Sequence, residues 1–114
     1  MPAPINKNDA PLYMLLREEK VSEFKQRLVA GEACDLRNAD FRGLELCGWE
    51  PTGLDLSNSY FRQADLRGVD LSTCQLAGAS IHGAKISGVL FPKSLSVEEI
   101  SMSLAHGTRM RITD

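Results

Sequence analysis

The chain has 114 residues, with 13 Lys and Arg against 15 Asp and Glu and a net charge of −2. That length suits one domain, and near-neutrality argues against both a general nucleic-acid binder, which needs a basic surface, and a heavily acidic decoy. No apolar stretch approaches the roughly 20 residues of a membrane span, and MPAPINKNDAPLYM contains no apolar core of a secretory signal. Three cysteines, without metal-ligand spacing, fit a reducing cytoplasm rather than a disulfide scaffold.

Residues 1–33 read as a leader and helical cap. Leu12, Leu15, Leu16, Phe24 and Leu28 fall on or near one helical face, with Arg17, Glu18, Lys25 and Arg27 elsewhere. Asp9 suits an N-cap, Pro11 a first turn and Gly31 a stop. The stretch Arg17 to Lys20 could equally be a turn between two short helices, with Ser22 capping the second. Both readings stay open at this level.

Residues 34–93 repeat every five residues. The centres are Leu36, Phe41, Leu46, Pro51, Leu56, Phe61, Leu66, Leu71, Leu76, Ile81, Ile86 and Phe91. Period five is neither the helical 3.6 nor the strand period of two, so it marks a repeat architecture. Two residues before each centre stand uncharged and mostly small side chains, from Cys34 and Ala39 to Ala84 and Val89. Two residues after it, nine of twelve positions are Gly or Asn, which tolerate the positive φ of a tight corner. Four such corners close a square turn of 20 residues. Adding 20 then predicts stacking: Phe41 beneath Phe61 and Ile81, Leu36 beneath Leu56 and Leu76, and Leu46 beneath Leu66 and Ile86. Pro51 should lie beneath Leu71 and Phe91. All the centres but Pro51 are the expected core. WEPTG departs from the pattern, because Trp49 stands where a small residue belongs. Trp49 either packs under the N-terminal helix or is an exposed partner anchor.

CDLRN, ADFRG, ADLRG and VDLST match the motif of the pentapeptide repeat family, which this stretch resembles over about 60 residues. The resemblance implies an all-β solenoid, a right-handed quadrilateral β-helix of about three coils, flanked here by N-terminal and C-terminal capping helices. It also implies that no catalytic activity need be expected. Some family members resemble B-DNA and bind DNA gyrase. Three turns, at the strand spacing, would span only about 15 Å, and arginines interleave with the acids, which weakens that analogy.

Residues 94–114 read as a helix and a polar, frayed tail. Ser96 and Glu99 fit a capping box, Val97, Ile100 and Leu104 share a face, and Gly107 ends the helix. Helices at both ends would cover the open turns of a repeat array. The competing use of Ile100 and Leu104 is a homodimer contact.

The residues suggest no catalytic, cofactor or metal site. His82 and His106 are the two histidines, and neither is paired by spacing with a nucleophile or carboxylate. Cys34 and Cys74, two turns or about 10 Å apart, are too distant for a disulfide, and Cys47 should face outward. Arg42, Arg62 and His82 should stack on one outward face. With Trp49 they are the candidate contacts for a protein partner. The expected function is a non-enzymatic protein–protein interaction or scaffold module, with no membrane or nucleic-acid partner. The alternatives are a DNA-mimicking binder of gyrase and a self-assembling structural protein.

Overall fold

From Asn38 to Gly88, all but one of the corners, five residues apart, lie in the left-handed region. In the computed structural model, which describes residues 11–32 and 34–112, Asn38, Gly43, Gly48, Gly53, Asn58, Gln63, Gly68, Gly78, Gly83 and Gly88 have φ between 58° and 86°. Side chains with a Cβ resist this conformation, so Gly and Asn recur there. Thr73 solves its corner differently: its Oγ1 accepts the Gly53 N–H at 2.9 Å from the turn below.

The structure corrects the expected all-β solenoid. Among the described residues there is no β-strand and no sheet. The regular elements are three short helices, α1 (Pro11–Arg17), α2 (Val21–Val29) and α3 (Val97–His106). Between α2 and α3 run turns joined by isolated parallel bridges. These bridges pair Asp40 with Tyr60, Glu45 with Asp65, Asp55 with Gln75, Tyr60 with Ser80, Asp65 with Lys85 and Asp70 with Leu90. The corners are the physical reason. A left-handed residue at every fifth position leaves too few extended residues per side for a strand, so pairing stops at one residue. The register of 20 residues nevertheless holds. The N–H groups of Phe41, Leu46, Leu56, Phe61, Leu66 and Leu71 donate to the carbonyls of Tyr60, Asp65, Gln75, Ser80, Lys85 and Leu90 at 2.7–2.9 Å.

The centres form the core as read, except at the end. Leu36, Phe41, Leu46, Leu56, Phe61, Leu66, Leu71, Leu76 and Ile81 are at most 2% exposed. Phe41 stacks on Phe61 with centroids 4.9 Å apart and planes at 12°. Ile86 and Phe91 are only half-buried. They belong to the last turn, and the C-terminal segment covers its other side.

The N-terminal segment is two helices. Lys20 occupies the N-cap of α2 without a side-chain bond, so Ser22 lies inside the helix and does not cap it. Asp9 and the leader lie outside the described residues. Leu12, Tyr13, Leu15, Leu16 and Phe24 bury the inner faces of α1 and α2. Two side chains supply what a preceding turn would have supplied. The Glu19 carboxylate accepts the Glu45 N–H at 2.9 Å, and the Tyr13 hydroxyl donates to the Asp40 carbonyl at 2.6 Å.

Trp49 fills the space between these helices and the turns. It is 1% exposed, edge-on to Phe24 at 5.9 Å and near Phe41 at 5.8 Å and Phe61 at 6.3 Å. Among the described residues its Nε1–H has no hydrogen-bond partner, which sets a desolvation cost against its packing.

At the other end, Ser96 caps α3 by accepting the Glu99 N–H at 3.1 Å. The capping box is only half made, because the Glu99 carboxylate takes the Arg111 N–H at 2.7 Å instead. The Ser103 hydroxyl accepts the Ile81 N–H at 3.0 Å. The Leu104 carbonyl accepts the Gly83 N–H at 3.1 Å. The tail is not frayed as expected over its described part. Met110 exchanges backbone hydrogen bonds with Ala79 and Gly78 at 2.9 and 2.7 Å, and its side chain is 1% exposed. Ile100 and Leu104 pack on the core, while Val97 is 75% exposed.

Replacing Trp49 with Ala should lower unfolding free energy by about 3–5 kcal/mol. Trp49→Phe, which keeps a ring and removes the unpaired donor, should cost far less. Urea unfolding followed by circular dichroism checks both.

Candidate interaction face

Aspartates one residue before the centres set the corners. The Oδ1 atoms of Asp35, Asp40, Asp55, Asp65 and Asp70 accept the N–H two residues on, from Arg37, Arg42, Ser57, Arg67 and Ser72, at 2.9–3.2 Å. This is an Asx turn, in which a side chain replaces a backbone acceptor. The same carboxylates bind the side chains of those arginines and serines. The interleaved arginines and acids are therefore largely local pairs. The signal was present in the sequence as Asp, any residue, then Arg or Ser.

These bonds favour the charged carboxylates. Arg42 holds Asp40 below its usual range, against the opposing effect of partial burial. Arg67 does the same, more strongly, for Asp65, and the Ser72 hydroxyl does so for Asp70.

Arg42 and Arg62, expected on one face, meet around a residue that the expectation omitted. The Tyr60 ring has the guanidinium carbon of Arg62 4.3 Å from its centroid, that of Arg109 at 4.8 Å and that of Arg42 at 6.0 Å. Each distance is within reach of a cation–π attraction. Arg62 is held by Ser80 Oγ and the Gly107 carbonyl, both at 3.1 Å. Arg109 donates to the carbonyls of Asn58 and Gly78 at 3.2 and 2.9 Å. Arg42 grips Asp40 at 2.7 Å. Tyr60 was legible as the one aromatic among the outward residues preceding a centre. Arg109 was not, because nothing in the tail predicts its return across the turns.

The other two candidates sit differently. His82 is half-buried, with Nδ1 3.2 Å from the Leu104 carbonyl, so it joins the last turn to α3 rather than facing open solvent. Trp49 is buried and is corrected from a candidate contact to a packing residue.

The thiols of Cys47 and Cys74 are not activated. Burial pushes Cys74 up to about 11, and its Sγ donates to the Pro51 carbonyl at 3.1 Å. Cys47 is exposed, yet its hydrogen bond to Asp65 also raises its pKa. Reactive thiols need the opposite shift. Among the described residues, no group of three or more His, Cys, Asp or Glu is placed to hold a metal ion. No helix among them is long and apolar enough to cross a membrane.

A family model described as pentapeptide repeats matches residues 55–91, in eight copies. Over this stretch the chain is similar to the pentapeptide repeat family. No curated protein and no solved structure was found to match the chain.

The depressed pKa values of Asp40, Asp65 and Asp70 fix the sign of acid sensitivity. Their contribution is present above the unfolded carboxylate pKa of about 4 and is lost as pH falls through the lower folded values. Thermal stability should therefore decline from about pH 5 toward pH 2. Asp65→Asn, which retains an Asx acceptor, should flatten that decline; an unchanged pH slope in melting curves would count against the Arg67 pairing.

Proposed function

We propose that the protein is a non-enzymatic interaction module that presents the outward side of its turns to a protein partner. The observation that carries this reading is the Arg42, Arg62 and Arg109 cluster around Tyr60. Arginine and tyrosine are the residue types that dominate binding energy in interfaces. Here packed turns and the C-terminal segment hold them, so little side-chain freedom remains to be lost on binding. The interior is filled by side chains, which favours recognition at the surface over an enclosed substrate site. Raised thiol pKa values also argue against cysteine chemistry. Pairing of Asp35, Asp40 and Asp65 with arginines argues against a continuous acidic surface of the kind that would imitate DNA. The free thiols of Cys47 and Cys74 fit a reducing compartment such as the cytoplasm.

The last turn supports a second reading, end-to-end self-assembly. Leu90 is 57% exposed there, beside half-buried Ile86 and Phe91. A sedimentation mass that stays at one copy over a wide concentration range would remove it.

Affinity purification from native cells, comparing wild type with the Arg42→Glu, Arg62→Glu double variant, tests the main reading. A stoichiometric protein that accompanies wild type and is depleted with the variant is the expected result. Equal recovery with both would move the contact to another face.

A further inference from the structure

Three guanidiniums converge on one half-buried ring in a protein of net charge −2. Arg42 shares its charge with Asp40 at 2.7 Å. Arg62 is placed differently: its hydrogen bonds go to the neutral oxygens of Ser80 and Gly107. They fix the side chain without cancelling its charge. Arg17 adds to the field, being near enough to favour the Asp40 carboxylate. Arg109 also lines an open depression with Ala77, Gly78, Met110, Arg111 and Ile112, and Ile112 is 38% exposed. A cationic cluster and an apolar hollow therefore share Arg109 as their common wall.

We propose that this face binds an acidic segment of a protein partner, with carboxylates on Arg62 and Arg42 and an apolar side chain in the Ala77, Met110 and Ile112 hollow. The proposal rests on the interaction-module reading and specifies its ligand. A carboxylate would be met through Nη1, since Nε and Nη2 hold Asp40 in Arg42 and Ser80 and Gly107 in Arg62. Stacking on Tyr60 orients Arg62 in advance, which reduces the entropy lost on binding. Shape favours a short peptide over nucleic acid. One pentad further round the turn, Glu19, Glu45 and Asp65, the last paired with Arg67, line a neighbouring depression. A phosphate backbone continuing past the cluster would meet those carboxylates, whereas a short acidic segment ends before them.

Fluorescence anisotropy of the full chain tests the proposal with three labelled probes. One is a synthetic peptide of glutamates interspersed with leucines, one has lysine for each glutamate, and one is a single-stranded oligonucleotide of the same charge as the first. The acidic peptide should bind, and binding should weaken as salt rises. Arg62→Glu should cut its affinity about tenfold or more. Because Arg62 also tethers Gly107, Arg42→Glu is the second variant, and it should weaken binding in the same direction. Ile112→Asp should weaken it through the hollow. Arg67→Gln, at another corner and paired with Asp65, should leave it unchanged. Oligonucleotide binding as tight as the peptide's, through the same arginines, would reassign the face to nucleic acid and overturn the proposal. Peptide binding untouched by both arginine variants, or no peptide binding at all, would also overturn it. The native-cell purification separates the two levels. A partner lost from the double variant, with no peptide binding, keeps the module and removes the acidic segment. A partner retained by the double variant removes this face altogether.

Discussion

The architecture depends on one constraint: a residue in the left-handed region at ten of the eleven corners, five residues apart, from Asn38 to Gly88. It bends the chain four times in 20 residues and returns each centre over its predecessor, as Phe61 over Phe41 at 4.9 Å. It also explains why backbone pairing stays at single bridges, since each side is too short for a strand. Glycine and asparagine meet the demand at low cost. The aspartate before the centre reinforces it by accepting the N–H that the corner frees. Sequence motif and turn geometry are thus one device.

An array of identical turns has a problem at its ends, and the two ends solve it differently. At the first turn, α1 supplies a hydroxyl from Tyr13, and the turn between α1 and α2 a carboxylate from Glu19, to the exposed backbone. Trp49 fills the wider space between with a side chain too large for the interior of a turn. At the last turn, α3 and the chain after it cover the side around 78–83 through Ser103, Leu104 and Met110. The side around Ile86 to Phe91 is left more open. The interaction face arises from this second closure, because the returning chain brings Arg109 over Tyr60 and gives Arg62 its Gly107 acceptor.

What the sequence revealed follows the same division. Period five made the register, the interior centres and the Phe41 to Phe61 stack legible, because repetition compresses long-range contacts into simple arithmetic. It overstated the regular structure: a pattern of corners was read as strands, and the corners themselves prevent strands. It placed Arg42 and Arg62 together but missed Tyr60 between them and Arg109 above. Arg109 follows from the docking of a non-repeating tail, which no periodicity encodes. Trp49 looked like either a packing residue or an anchor, and only the position of Phe24 on α2 separates the two.

The central claim is that contacts are set by a 20-residue register even though no strand enforces it. A double-mutant cycle on Phe41→Leu and Phe61→Leu tests it most directly. The stacked geometry predicts a coupling of about 0.5–1.5 kcal/mol between them, and near-additivity for Phe41→Leu with Leu71→Ala. Additive behaviour of Phe41 and Phe61, or equal coupling in both pairs, would contradict the register on which the fold and its arginine face depend.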